Sequence, residues 1–199
     1  SNFKNHQPKQ FIDFGGWTLF EKTLKRIKNP LFDDPIISTN LTYLKEIKKN
    51  LIKCKIKKYK IVLEPVKKNT GPAILSSGLI KDIPDKQPLI FFSADHLFDN
   101  TKLFNKKIKD NKKFLTNTNI FIFGIKPNSP SDQFGYFLTR KSKDLRKVSK
   151  FIEKPNRSKA KIIIKKGGFW NSGIFFLRKD SLINNFKKYQ KKILQSSLQ

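Results

Sequence analysis

Asp95 is the acidic residue best placed to hold a metal ion. It follows the apolar run Leu89–Phe92 and lies between Ala94 and His96. A carboxylate there can bind Mg²⁺, which prefers hard oxygen ligands shared with substrate phosphates, and the cation would neutralise charge on those phosphates during transfer. The alternative interpretation is an aspartate that forms a turn. His96 is not predicted to be catalytic.

A second polar cluster follows the apolar segment Ile61–Leu63. Glu64 leads to Asn69–Ala73, where a capping residue and an early proline indicate the start of a helix. Free backbone N–H groups beside small residues could bind a nucleotide base or a phosphate there. An ordinary capped helix explains the pattern equally well, so both interpretations stay open.

Glu153 and Lys154 place an acid and a base where a strand stops at Pro155. Sugar hydroxyls need such acceptors, and a phosphate needs such an ammonium group. The alternative is a surface ion pair, which is common and weak. Lys9, which follows Pro8 near the start, could hold a phosphate as a point charge or be one exposed lysine among many.

Two glycine-containing segments could bring the backbone close to a ligand. Gly135 follows a polar loop and permits close approach, although a hairpin turn explains it equally well. The segment Asn171–Gly173 interrupts a strongly apolar strand. Such an interruption usually marks a bulge or a close ligand, and we favour the ligand here.

The elements that must position these residues alternate between short β-rich runs and longer helical stretches. The predicted strands cover residues 35–39, 59–63, 89–93, 119–125, 148–152 and 169–177. The predicted helices cover residues 18–27, 41–52, 70–81, 101–113, 158–166 and 179–194. This alternation predicts an α/β fold with a mainly parallel sheet. Ligands of such sheets bind beyond the carboxyl ends of the strands, so we expect the polar clusters to converge on one cleft.

The net charge of +28 is carried mostly by lysine, since only five of the 43 basic residues are arginine. Such a charge first suggests a nucleic acid or an anionic surface as partner. The lysines are spread along the whole chain, however, whereas nucleic-acid-binding proteins more often cluster charge and use the arginine fork. We therefore expect solvated lysine faces, no specific nucleic acid partner, and a field that attracts polyphosphates.

The apolar runs are far shorter than the roughly 20 residues that cross a bilayer, so no membrane partner is expected. Cys54 is the single cysteine and cannot form an internal disulfide, which fits the cytoplasm. The sequence neither requires nor excludes a homo-oligomer. It contains no methionine, and we expect it to begin inside a longer protein.

The order of these motifs is more specific than any one of them. The series PKQF, LEPVKKNTGPAI, FFSADH, FGIKPNSPSDQFGYF, VSKFIEKP and GGFWNSGIFFLRKDSL resembles mannose-1-phosphate guanylyltransferases of the bacterial GDP-mannose pyrophosphorylase type. The resemblance runs from about Pro8 to Leu182. It implies a Rossmann-like nucleotide-diphospho-sugar transferase fold with helices on both faces of a mainly parallel mixed sheet. It also implies a Mg²⁺-dependent transfer from GTP to mannose 1-phosphate that needs no protein nucleophile.

The resemblance also assigns roles to residues at matching motif positions. Lys9, Asp95 and Lys154 would be catalytic, with Asp95 as the metal ligand. The nucleotide-binding residues would be Asn69, Thr70, Pro72, Ala73 and Asp95. The residues around the sugar phosphate would be Gly135, Glu153, Lys154 and Asn171.

The chain departs from the family pattern in three places. The family's glycine-rich phosphate loop is expected just before this chain begins, and its second metal-binding aspartate beyond Gln199. We therefore predict that residues 1–199 form part of a nucleotidyltransferase domain, truncated at both ends and inactive alone. The usual GYGY-like loop is Gln133 to Tyr136 here, so one glycine and one hydroxyl are lost.

Two alternatives remain. The same reaction could use another nucleotide or sugar 1-phosphate, or the chain could be a non-catalytic remnant that binds nucleotides or RNA. Salt-dependent RNA binding at physiological ionic strength, with no binding of GTP or GDP-mannose, would favour the remnant.

Overall fold

The computed structural model describes residues 8–64, 70–98, 100–141 and 145–197. The chain divides into two compact units. Unit 1 comprises Ser1–Ile120 and Leu177–Gln199, and unit 2 comprises Phe121–Phe176. No helix among the described residues is long and apolar enough to span a membrane.

The α-helices and β-strands are numbered in chain order. The helices are α1 (Leu19–Ile27), α2 (Leu44–Lys53), α3 (Thr70–Gly78), α4 (Thr101–Asn111), α5 (Arg157–Lys165), α6 (Lys179–Tyr189) and α7 (Lys191–Ser197). The strands are β1 (Ile36–Thr39), β2 (Lys60–Leu63), β3 (Pro88–Phe91), β4 (Ile120–Ile125), β5 (Tyr136–Lys141), β6 (Arg146–Ile152) and β7 (Phe169–Arg178).

In unit 1, α1 begins with a capping box. The Thr18 hydroxyl accepts from the Glu21 N–H, and the Glu21 carboxylate accepts from the Thr18 N–H, which satisfies two free donors of the first turn. The apolar face of α1 packs with α2 in a core that includes Phe20, Leu24 and Leu51. Helix α1 is therefore a firmly anchored element.

Strands β1 and β2 pair in parallel, with Ile36 opposite Lys60 and Thr39 opposite Leu63. Their carboxyl ends thus lie side by side, and the Glu64 N–H donates to the Thr39 carbonyl over 2.7 Å. The parallel arrangement agrees with the expectation from the continuous apolar run of β2.

Near the C-terminus, the predicted helix 179–194 is two helices. Helix α6 ends at Tyr189, and Gln190 adopts an extended φ of −142° before α7 begins. Lys179, the first residue of α6, is buried, and its ammonium group donates to the carbonyls of Ile80 and Ile83.

In unit 2, β5 lies between β6 and β7, and β4 pairs with β7. The β5–β6 and β5–β7 pairs are antiparallel, with Tyr136 opposite both Ile152 and Trp170. No strand is predicted between residues 125 and 148, whereas the structure forms β5 there through its pairing with β6 and β7. The α/β class with a mixed sheet is confirmed.

Candidate active site

Asp95 lies in a turn shortly after β3 and is half-buried. The Ser93 hydroxyl donates a hydrogen bond to its carboxylate. Within the described part of the chain, Asp95 forms no ion pair. Its carboxylate is therefore not committed to a protein cation.

The donor set around Asp95 fits a cation that is completed by a ligand. Asp95 and Ser93 supply hard oxygen atoms, and Mg²⁺ is commonly held by one or two carboxylates together with substrate phosphates. No group of three or more His, Cys, Asp or Glu side chains is arranged to hold a metal within the residues that the structure describes. A complete metal centre built from these side chains alone is therefore absent from that part of the chain.

The backbone on each side of Asp95 is held by α1. The Thr23 hydroxyl donates to the Ala94 carbonyl over 3.2 Å, and the Arg26 guanidinium donates to the His96 carbonyl over 2.8 Å. Neither α1 residue carries a sequence signal for this role. Their spacing of three places them on one face of a helix, but the residues that they contact lie about seventy positions further along the chain.

Burial determines the electrostatics of this turn. It is the main cause that lowers the pKa of His96, and the nearby Arg26 lowers it further while Asp95 acts in the opposite direction. Burial also lowers the pKa of Arg26 to about 10. The neutral form of His96 is thereby favoured.

The predicted nucleotide-binding residues lie at the start of α3. Thr70 is exposed, while Pro72 and Ala73 are half-buried in the first turn of the helix. Asn69 lies outside the described residues. The first turn of α3 can offer free N–H groups to an anion or a base.

The carboxyl ends of β1 and β2 carry further polar groups that the sequence analysis did not select. The Ser38 hydroxyl donates to the Glu64 carboxylate. Asn40 Oδ1 is buried and accepts no hydrogen bond from the described residues. The polar residues that directly follow the apolar pair of β1 were the signal that could have identified this cluster.

Lys9 opens a short 3₁₀ helix, Lys9–Phe11. The ring of Phe11 is buried in the unit 1 core, whereas the side chain of Lys9 is exposed. The buried ring anchors the segment and leaves the ammonium group of Lys9 accessible to an anion.

Three of the predicted sugar-phosphate residues come together in unit 2. The Asn171 N–H donates to the Gly135 carbonyl over 2.7 Å. A Cβ atom on Gly135 would lie 2.8 Å from Oε2 of Glu153. Neighbouring ends of β5, β6 and β7 thus bring a carboxylate, an amide and an open backbone to one place.

Lys154 has an unusual backbone, with a φ of 39°. A lysine in this left-handed region is uncommon, and such residues concentrate at functional sites. Glu153 and Lys154 are both exposed, and the described structure contains no ion pair between them. The surface ion pair considered for this dipeptide is therefore not formed.

Strand β7 turns locally at Asn171. Its side-chain oxygen accepts from the Gly173 N–H over 3.1 Å, the Ser172 hydroxyl accepts from the Ile174 N–H over 3.2 Å, and Gly173 has a φ of 72°. The Asn171 Nδ2 group has no partner among the described residues, so its two N–H donors are available to a ligand.

The predicted site residues are divided between the two units. Unit 1 contains the metal and nucleotide group of Lys9, Thr70, Pro72, Ala73 and Asp95, and unit 2 contains the sugar-phosphate group of Gly135, Glu153, Lys154 and Asn171. The structure brings three residues of the second group together. The convergence of both groups on a single cleft stays a prediction.

A family model described as nucleotidyl transferase matches residues 4–198. The chain belongs to the nucleotidyl transferase family. Among curated members, it is 29% identical over 197 residues to mannose-1-phosphate guanylyltransferase from Klebsiella pneumoniae, which covers 95% of this chain and 42% of that protein. The chain thus spans less than half the length of that relative. The resemblance predicted from the motifs is confirmed.

Two solved structures show how this nucleotidyl transferase chain folds. Mannose-6-phosphate isomerase from Helicobacter pylori matches with a TM-score of 0.83 and 30% identity, over 96% of this chain and 73% of that chain. A Thermus thermophilus protein described as mannose-1-phosphate geranyltransferase matches with a TM-score of 0.83 and 21% identity, over 98% of this chain and 57% of that chain. The predicted Rossmann-like nucleotide-diphospho-sugar transferase fold is confirmed.

Proposed function

We propose that the gene product carrying this chain transfers a guanylyl group from GTP to mannose 1-phosphate. An oxygen of the sugar phosphate attacks the α-phosphorus of GTP, the bond between that phosphorus and the β-bridging oxygen breaks, and pyrophosphate leaves with GDP-mannose as the product. Similarity to a protein named mannose-1-phosphate guanylyltransferase supports the proposal. The structural observation that carries it is the grouping of Gly135, Glu153 and Asn171 in unit 2.

This unit 2 group has the donors and acceptors that a sugar phosphate needs. The Glu153 carboxylate accepts hydrogen bonds from sugar hydroxyls, and the free N–H donors of Asn171 bind hydroxyl oxygens. The ammonium group of Lys154 faces the phosphate. Gly135 lets the Glu153 carboxylate lie directly against the backbone, because a side chain on Gly135 would meet that carboxylate.

On the nucleotide side, Thr70, Pro72 and Ala73 in the first turn of α3 bind the base. Asn69, which precedes them in the sequence, is assigned the same role by the family resemblance. Lys9 contacts the phosphates as a point charge. Glu64, at the carboxyl end of β2, offers a carboxylate that matches the two adjacent N–H donors of guanine. Adenine lacks that pair of donors, so Glu64 would contribute to the choice of GTP.

Asp95 would hold Mg²⁺ together with the phosphates of GTP. The chemistry that the bound cation supplies is neutralisation of charge on the transferring phosphate. The protein residues position the two substrates so that the attacking oxygen and the leaving group lie in line. No protein nucleophile is required.

The test measures pyrophosphate release by the complete gene product with mannose 1-phosphate and each of GTP, ATP, UTP and dTTP. We expect GTP to be preferred and Asp95→Asn to lower kcat/KM at least about hundredfold, because a cation at the phosphates is worth several kcal/mol. The matched control is Asp110→Asn, which removes an exposed carboxylate on α4. Glu64→Gln should reduce the preference for GTP over ATP.

Two further assays separate the alternatives. Isomerisation of mannose 6-phosphate is measured because the Helicobacter pylori relative carries that name. Binding of RNA is measured at several salt concentrations, since phosphate contacts made by lysine weaken steeply with salt. Absence of GDP-mannose formation, together with RNA binding and no GTP binding, would replace the enzymatic proposal with the binding one.

A further inference from the structure

Two residues of α1 form hydrogen bonds with the backbone on both sides of Asp95. Thr23 donates to the carbonyl before Asp95, and Arg26 donates to the carbonyl after it. Residues three apart on a helix point to the same face, so one rigid surface reaches both peptide groups. Because α1 is anchored in the unit 1 core through Phe20 and Leu24, this surface is well fixed.

The surroundings of Arg26 are unusual for an arginine. Its side chain is only 8% exposed, and no carboxylate pairs with it among the described residues. Its guanidinium carbon lies 3.8 Å from the centre of the Phe98 ring. A buried cation without an anionic partner is unfavourable, and the ring and the His96 carbonyl offset only part of this cost.

Two lysine side chains of α1 also lie over aromatic rings. The Lys25 ammonium group lies 3.2 Å from the centre of the Trp17 ring, and that of Lys22 lies 5.7 Å from the centre of the Phe14 ring. The Arg26 Nη1 atom is buried without a hydrogen bond to the described residues. The hydrogen bond that Arg26 does make goes to the carbonyl of His96, the residue after Asp95. The buried guanidinium therefore holds the backbone next to Asp95.

We propose that Thr23 and Arg26 are positioning residues that fix the backbone of Asp95 so that its carboxylate meets the cation and the nucleotide phosphates at one defined place. This inference rests on the proposed function for the role of Asp95. The clamp itself, formed by two hydrogen bonds to the Ala94 and His96 carbonyls, can be tested without any substrate.

The first test measures backbone ¹⁵N order parameters by NMR in residues 93–97 of the chain, in Thr23→Val, Arg26→Gln and Arg26→Lys variants. Lys25→Gln is the matched control, because it removes one positive charge from the same helix at an exposed position. We expect the order parameters of this segment to fall from about 0.85, the value of a rigid backbone, toward about 0.6 in Thr23→Val and Arg26→Gln, because the segment loses a hydrogen bond to α1. Arg26→Lys should restore part of the rigidity.

Global stability is measured alongside by urea unfolding, so that a general loss of structure is recognised. Thr23→Val removes only a hydroxyl at nearly constant shape, which keeps the test decisive if Arg26→Gln fails to fold. Unchanged order parameters of residues 93–97 in Thr23→Val would overturn the clamp, whatever the protein's activity.

The second test measures the affinity for Mn²⁺ in the presence of GTP. If Thr23 and Arg26 only stabilised the fold, the molecules that remain folded would bind Mn²⁺ with unchanged affinity. We expect about threefold to tenfold weaker binding in Thr23→Val and Arg26→Gln, partial recovery in Arg26→Lys, and no change in Lys25→Gln. If Asp95→Asn leaves Mn²⁺ affinity unchanged, the proposed role of Asp95 fails, and the order parameters alone then decide the clamp. Equal affinities in all the α1 variants would refute the positioning role even if the order parameters fall.

Discussion

The Glu153 carboxylate occupies the space that a side chain on Gly135 would fill, with Oε2 only 2.8 Å from the Cβ position. The ring of Phe151 closes the same space at 3.0 Å. Gly135 therefore allows a carboxylate to sit directly against the backbone of β5. The glycine is required here by close approach, since its φ is not in the left-handed region.

Gly135→Ala should weaken the binding of mannose 1-phosphate while leaving the fold intact. The new methyl group displaces the far end of the flexible Glu153 side chain, so the free energy of unfolding should change by less than about 1 kcal/mol. Loss of hydrogen bonds to a charged acceptor should lower the affinity about tenfold or more. Isothermal titration of mannose 1-phosphate and urea unfolding measure the two effects.

Glu153→Gln provides the comparison for this glycine variant. If displacement of the carboxylate is the cause, both single variants should show similar losses, and the double variant should lose little more, since neighbouring effects are not additive. A Gly135→Ala protein that binds mannose 1-phosphate as tightly as the parent would contradict the role assigned to Glu153.

Lys179→Met should destabilise unit 1. The Lys179 ammonium group donates to the carbonyls of Ile80 over 3.0 Å and Ile83 over 2.6 Å, and its side chain is buried. Methionine fills a similar volume but leaves both carbonyls without this donor. We expect the free energy of unfolding to fall by about 2 to 4 kcal/mol, measured by urea denaturation.

Lys187→Met is the control for this substitution, because Lys187 is exposed on the same helix. It should change stability by no more than about 0.5 kcal/mol. Equal effects of the two substitutions would mean that loss of charge, rather than loss of the two buried hydrogen bonds, determines the result.

Much of the fold could be predicted because its signals are local. The continuous apolar run of β2 predicts a parallel strand covered on both faces. Strands β1 and β2 do pair in parallel, but β2 is only partly covered, since Leu63 is exposed. The Asn69–Ala73 pattern placed the start of a helix where α3 begins at Thr70. Local propensity and hydrophobic periodicity were sufficient for these elements.

Long-range contacts account for what the sequence analysis missed. Strand β5 lacks a clear alternation, and its conformation depends on pairing with β6 and β7. No sequence pattern singled out Arg26, yet it is buried and contacts His96 and Phe98. Partners some seventy residues apart along the chain leave no periodic signal.

The distribution of lysine along the whole chain also predicts how RNA binding depends on salt concentration. The charge of +28 is distributed over the whole chain, so binding of a nonspecific RNA should weaken steeply between about 50 and 200 mM salt, by about tenfold or more. Binding of GTP should depend less on salt, since hydrogen bonds to the base contribute to it. Fluorescence anisotropy measures both affinities. If the affinities for RNA and for GTP fall equally with salt concentration, a specific nucleotide site is contradicted.

Cys54 should react slowly with thiol reagents in the folded protein. It is buried, and burial followed by the Glu21 carboxylate raises the pKa of its thiol. At about pH 8, iodoacetamide should modify the folded chain at least about tenfold more slowly than the urea-unfolded chain. As pH rises, the thiol ionises in the unfolded chain before it ionises in the folded chain. The stability that Cys54 contributes is therefore fully present below the ordinary pKa of the thiol. It is lost as pH rises from there through the raised pKa of the folded state. The stability difference between the parent and Cys54→Ala should therefore shrink above about pH 9, and a difference that grows there would contradict the direction of the shift.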